Sequence, residues 1–207
     1  MGSYIKWTFW IVVWAVVAAF FSYVLPQRDI VRVTGTEIIR TDFTNLNRIF
    51  YAQADSGAAE QPTRDLRLIN TVRYEKGVMV YRNEDTGWIW PPYFKFDSSD
   101  LQAEAQDLIS SSTDPQWAVV LHYGWRIRYL TIYPNAITIR PIDDPTVRLI
   151  PWVNIVILLF FAALVWGVTV RLRRFKARRI DPRLQRLDDA VDERRAGISR
   201  WFASWRR

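Results

Sequence analysis

Trp7-Thr8-Phe9-Trp10-Ile11-Val12-Val13-Trp14-Ala15-Val16-Val17-Ala18-Ala19-Phe20-Phe21-Ser22-Tyr23-Val24-Leu25 holds no charged residue and is closed by Pro26. A bilayer core of roughly 30 Å needs about 20 apolar residues in helix. The run has that length, and proline stops a helix because it brings no N–H. A second run, Leu149 to Val170, is also uncharged and ends at Arg171. These stretches predict transmembrane helices over 7–25 and 150–170. Trp7, Trp10, Tyr23 and Trp152 fall toward the run ends, where amphipathic rings favour the headgroup zone. A signal peptide would have a shorter apolar core and a small-residue end; Phe20-Phe21 does not fit one.

The rest of the chain divides by charge. The formal net charge is +7 over 207 residues. After Val170 there are 13 Arg/Lys against 5 Asp/Glu, and Pro26 to Leu149 holds 14 against 16. This excludes a uniformly basic nucleic-acid binder and an ordinary soluble enzyme. Arg171, Arg173, Arg174, Lys176, Arg178 and Arg179 follow the second span at once, against Arg28 and Arg32 after the first. By the positive-inside rule the tail 171–207 is cytoplasmic. The N-terminus 1–6 is then cytoplasmic too, and residues 26–149 form an extracytoplasmic, periplasmic domain. The chain has no cysteine, which removes disulfides and thiolate metal sites.

Within 26–149 the pattern predicts an α+β domain: an antiparallel sheet and one main helix. Asp29 to Ile39, Leu66 to Tyr74 and Val78 to Arg82 alternate with period two, with Gly35 as a bulge or bend. Residues 53–63 are small and polar, as in a surface loop. Asn83-Glu84-Asp85-Thr86-Gly87 reads as a turn with Gly87 at positive φ. Pro91 and Pro92 bar a regular central strand after it. Ser99 and Gln102 match a capping box opening a helix with an apolar stripe of Leu101, Ala105, Leu108 and Ile109. Trp117–Tyr123, Arg126–Tyr133 and Ala136–Pro141 read as strands, with turns at Gly124 and Pro134-Asn135.

Chemistry is sparse in this sequence. His122, the single histidine, has no nucleophile tied to it by a motif, and catalysis is not expected. Glu84-Asp85, Asp97-Asp100 and Asp143-Asp144 lack the spacing of a calcium loop. No catalytic, cofactor-binding or metal residue is therefore assigned, and no cofactor is expected. Trp88, Trp90, Tyr93 and Phe94 form a dense aromatic run with Phe96. Core packing is the favoured reading of it, since rings bury much area. The sharper reading is an exposed patch that docks a partner or dips into headgroups. Ala15 with Ala19, and Ala163 with Gly167, have the small-xxx-small spacing of helix packing.

The tail offers a lipid-facing surface. The six basic residues at 171–179 attract anionic lipid of the inner leaflet, at about 1 kcal/mol per charge. Asp181-Pro182 supplies an N-cap and a first-turn proline. Leu184, Leu187, Val191, Ile198, Trp201 and Trp205 share a stripe that Phe202 widens. This predicts an interfacial helix over 182–205. A solvated tail and a coiled-coil stripe are the competing readings. Nucleic acid is not expected as a partner.

Residues 24–144 also resemble a known family. The resemblance rests on Val24-Leu25-Pro26 before Val31-Arg32-Val33-Thr34-Gly35-Thr36-Glu37, and on Asn83-Glu84-Asp85-Thr86-Gly87-Trp88-Ile89-Trp90-Pro91-Pro92-Tyr93-Phe94-Lys95-Phe96-Asp97. Tyr123-Gly124-Trp125-Arg126 and Tyr133-Pro134-Asn135 add to it. The chain is similar to a family of bacterial inner-membrane proteins, a domain of unknown function from photosynthetic and related proteobacteria. The resemblance implies membrane location and no activity. The resulting expectation is a non-enzymatic inner-membrane scaffold, accessory or assembly subunit, with membrane lipids and a protein partner or second copy as its contacts. The alternative is a periplasmic ligand-binding or envelope-sensing module whose tail relays the signal.

Overall fold

The computed structural model describes residues 2–42, 63–88, 90–182 and 193–196. They belong to two compact units, Met1–Pro151 and Trp152–Arg207. Each unit contains one long apolar helix. α1 runs Gly2–Val24 and α3 runs Trp152–Phe175, the latter continuing as a π-helical turn over Lys176–Ile180. By length and composition both could cross a membrane, and neither is buried within the protein. The predicted end of the second run at Val170 is a boundary of composition only. Backbone hydrogen bonding carries the helix on through Arg171, Arg173 and Arg174. Ala15, Ala19, Ala163 and Gly167 all lie exposed on their helices.

The first unit also holds a five-stranded sheet. Its strands are β1 (Gln27–Asp42), β2 (Thr63–Arg73), β3 (Gly77–Arg82), β4 (Trp117–Tyr123) and β5 (Asn135–Ile142). The sheet closes on itself in the order β1-β2-β3-β5-β4. This corrects the expectation of a purely antiparallel sheet. Closure depends on a parallel junction, Arg82 opposite Asn135, beside four antiparallel ladders. Closing removes both exposed edges. A five-stranded Greek-key barrel with a helix between the third and fourth strands has the architecture of an OB-fold. β1 is long enough to pair with β4 through its first half and with β2 through its second. A bulge between Val33 and Gly35, as expected at Gly35, bends it between those roles.

Period-two alternation sorts the side chains of β2. Ile69 joins Val31, Val33, Tyr81, Ala118, Val120, Ala136 and Ile139 in the barrel core, where α2 (Ser98–Asp107) adds Leu101 and Ala105. Leu66 and Leu68 face the other way, under Ile39, Val80 and Tyr133. Burying each such aliphatic side chain contributes about 1.5–3 kcal/mol.

Four local expectations are corrected. α2 is capped by Asp97, whose Oδ1 accepts from the N–H groups of Ser99 and Asp100, so the Ser99–Gln102 box does not form. The predicted stripe keeps Leu101 and Ala105 buried. Leu108 is the C-cap, and Ile109 lies beyond the helix and is exposed. Arg126–Tyr133 is not a strand. Ile127 and Ile132 exchange backbone hydrogen bonds around a 3-10 turn at Arg128–Leu130, and Thr131 adopts a left-handed conformation. Pro134-Asn135 is no turn, because Asn135 begins β5 and is fully buried. Most of the predicted loop 53–63 lies outside the described residues. So does most of the predicted tail helix 182–205, including Trp201, Phe202 and Trp205; residues 193–196 are helical.

Candidate functional site

The C-terminal end of α1 is built into the barrel. The last carbonyls of a helix have no intrahelical partner, and Pro26 removes the N–H that would have reached Ser22 O. Side chains and loops of the barrel fill the places. Gln27 Nε2 donates to Ser22 O at 3.1 Å. Gly124 N donates to Tyr23 O at 2.9 Å. The Tyr93 hydroxyl donates to Val24 O. Trp125 Nε1 adds a bond to Ser22 Oγ at 3.2 Å. Gly124 makes its approach at φ +91, a conformation open to glycine at little cost. Only Leu25 and Pro26 separate α1 from β1.

Around this joint stands a collar of rings. Tyr23 meets Tyr123 and Trp125 edge-on, and Tyr93 stacks on Tyr123 at 4.8 Å. Trp90 stacks on Phe20 at 5.9 Å, with 14° between planes. Beyond it Trp88 packs against Phe94 and Phe96. These rings are not core, as the favoured sequence reading had it. Trp88 is 81% exposed, Trp90 61%, Phe94 53% and Phe96 55%. Only Tyr93 of the run is half-buried. An exposed apolar cluster of this density is the kind of feature that docking and membrane-contact surfaces share.

The loop that carries the rings is held from inside by polar groups, which the sequence did not reveal as a site. Lys95 points inward between the outward rings of Phe94 and Phe96 and is buried. Its Nζ donates to Asn83 Oδ1 at 2.5 Å and to Ala136 O at 2.7 Å. Asn83 Nδ2 donates in turn to Ser98 O and Gln102 Oε1. The backbone N–H groups of Thr86 and Gly87 both reach Lys95 O at 3.0 Å. Asn135 clamps Glu84 through its N–H and C=O, and Arg82 pairs with Glu84 at 3.2 Å. Asn83, Glu84 and Thr86 are thus buried. The stretch read as a turn is the inner wall of the site, and Gly87 takes the expected positive φ, +53. Burial pushes the Lys95 amine down to about 7, with Asp85 opposing and Arg82 and Arg67 reinforcing the shift. The sequence signal was a single lysine inside an aromatic run.

His122 belongs to a separate buried group. Its Nε2 lies 3.3 Å from Asp29 Oδ2, which also accepts from the Tyr81 hydroxyl at 2.7 Å and faces Arg73 at 3.7 Å. Burial opposes the charge of Asp29. Contacts from His122 and Tyr81, with the charge of Arg73, outweigh it and hold the carboxyl at about 2. Burial and the neighbouring Asp29 raise the Tyr81 phenol. With His122 2% exposed, this arrangement fixes β1 to β3 and β4 through the barrel interior.

A family model described as "Protein of unknown function (DUF1523)" matches residues 3–176. A protein of Haemophilus influenzae described as uncharacterised is 40% identical over 165 residues, covering 77% of this chain and 90% of that one. No solved structure matches the chain. The chain belongs to the DUF1523 family.

Proposed function

We propose that this DUF1523 member is a non-enzymatic accessory or assembly subunit of a larger complex in the bacterial inner membrane. In this reading α1 and α3 span the bilayer, both termini are cytoplasmic, and the barrel stands in the periplasm. The observation that carries it is the joint between α1 and the barrel. Three successive carbonyls of the helix end, on Ser22, Tyr23 and Val24, are each taken by a barrel donor. That makes the barrel a fixed extension of the helix and not a tethered module. A module fixed in this way suits a subunit that positions neighbours. The periplasmic sensing alternative gains less support, because the described residues of the barrel gather into an apolar core, with no described residue assigned to a ligand.

The basic cluster Arg171, Arg173, Arg174, Lys176, Arg178 and Arg179 remains, in this proposal, the contact to anionic lipid of the inner leaflet. The test is gentle detergent solubilisation of membranes expressing the chain at its native level, followed by native mass measurement. A discrete assembly heavier than one 24.4 kDa chain is expected. Migration as a lone monomer under several mild detergents would refute the proposal.

A further inference from the structure

The exposed rings need an occupant, and the geometry of the α1 joint sets where they lie. This step rests on α1 spanning the bilayer. The candidate span Tyr4–Val24 has 21 residues. At 1.5 Å per residue that is about 32 Å, close to the roughly 30 Å of a hydrocarbon core. The span has no spare length, so Val24 marks the outer boundary. Phe20 lies four residues inside it, at a depth of about 6 Å. Trp90 stacks face to face on Phe20 and must share that depth. Tyr93, bonded to Val24 O, sits at the boundary itself.

The chemistry of the loop agrees with that position. Between Trp88 and Phe96 the sequence carries a single charge, Lys95. That side chain is turned into the barrel and hydrogen-bonded there. What remains outside is Trp88, Trp90, Phe94 and Phe96, with Pro92. Tryptophan and tyrosine favour the headgroup zone, where a ring can be half in hydrocarbon with its polar edge in water. Insertion by about 5–10 Å is the usual depth for interfacial apolar groups.

We propose that the aromatic loop bearing Trp88, Trp90, Phe94 and Phe96 seats in the headgroup region of the outer leaflet, so that the barrel rests on the bilayer at a fixed tilt. The lipid surface, not a second protein, covers these rings. α1 and the loop then form two points of contact with one membrane. Two points define an orientation that one helix alone leaves free.

The absence of cysteine makes the test direct. Single nitroxide labels are placed on Trp90→Cys, Phe94→Cys, Trp14→Cys and Ile38→Cys in the full chain. The protein is reconstituted into vesicles of phosphatidylethanolamine and phosphatidylglycerol. Relaxation by oxygen, which concentrates in lipid, is compared with relaxation by a polar nickel chelate. Trp14 is mid-helix, and Ile38 is an exposed residue eleven positions beyond the start of β1. The oxygen-to-nickel ratio is expected to be several-fold higher at position 90 or 94 than at 38, and highest at 14. A low ratio at 14 would remove the spanning helix and the functional proposal with it. A high ratio at 14 with positions 90 and 94 matching 38 would overturn the inference alone. Protection of 90 and 94 from both reagents would also overturn it, because a protein would then cover the rings. Phe94 serves as the second probe should Trp90→Cys fail to fold.

Discussion

Replacing Lys95 by methionine separates the inner support of the aromatic loop from its rings. The Lys95 amine, about 7 in the folded chain against an ordinary 10.5, is depressed mainly by burial. A depressed lysine contributes stability that is fully present above its unfolded value and is lost as pH falls through its folded value. Between about 7 and 10.5 the unfolded chain holds a proton that the folded chain has released, so stability rises with pH. Each pH unit is worth about 1.4 kcal/mol, so pH 7 to 9.5 spans about 3 kcal/mol. Methionine has similar length and no titration. It removes the donor to Asn83 Oδ1 and Ala136 O, each a loss of about 1–3 kcal/mol, and this loss does not vary with pH. Equilibrium unfolding of the full chain in detergent micelles, followed by near-ultraviolet circular dichroism from pH 6.5 to 9.5, measures the difference. The gap between wild type and Lys95→Met is expected to widen by about 3 kcal/mol across that range. Tyr81 and Tyr93 also titrate abnormally, both raised by burial, but they are common to both proteins and cancel in the difference. A gap independent of pH would refute the placement of a neutralised amine in that pocket.

Asp29→Asn tests the second buried group. Asp29 is held at about 2 against an ordinary 3.8, so its stabilisation is present above about 4 and lost as pH falls through about 2. Wild type should lose about 1–2 kcal/mol over that acid window, discounted for partial exposure, and the variant should not; equal acid limbs in urea unfolding would contradict this. Asp97→Ala removes the cap that accepts from Ser99 and Asp100 and should cost about 1 kcal/mol. The reading of Asp97 as the cap fails if chemical denaturation finds no loss, or finds a larger one for Ser99→Ala.

The strands were legible where alternation alone defined them. β1, β2 and β3 each bury one face in the barrel core, so Val31 with Val33, and Ile69 with Thr71, write their period into the sequence. Arg126–Tyr133 carries a similar alternation but is bent by a left-handed Thr131, and hydrophobic pattern says nothing of backbone sign. Closure was invisible because it depends on one pair, Arg82 with Asn135, 53 residues apart in the chain. The aromatic run was misread for a different reason. Composition reports that rings are apolar; it cannot say whether the surface they cover belongs to this chain. Asn83, Glu84 and Thr86 were misread in the opposite sense. Turn-forming residues look alike whether water or Lys95 and Asn135 satisfy them.

These two misreadings are one physical feature seen from both sides. Phe94, Lys95 and Phe96 alternate ring, amine, ring, as a strand would, yet the segment has no ladder partner among the described residues. Its backbone is instead held by Thr86 and Gly87 on Lys95 O, and its side chain by Asn83 and Ala136. Phe94 itself sits at φ +51, a conformation costly for a bulky residue and kept only where the surroundings impose it. A loop held this firmly loses little freedom when its rings meet another surface. Ordering a free side chain on docking costs about 0.5–1.5 kcal/mol, and four rings presented in advance avoid much of that. The buried lysine therefore serves the exposed face. It supplies the inward anchor that lets an apolar loop remain ordered without burying its own rings.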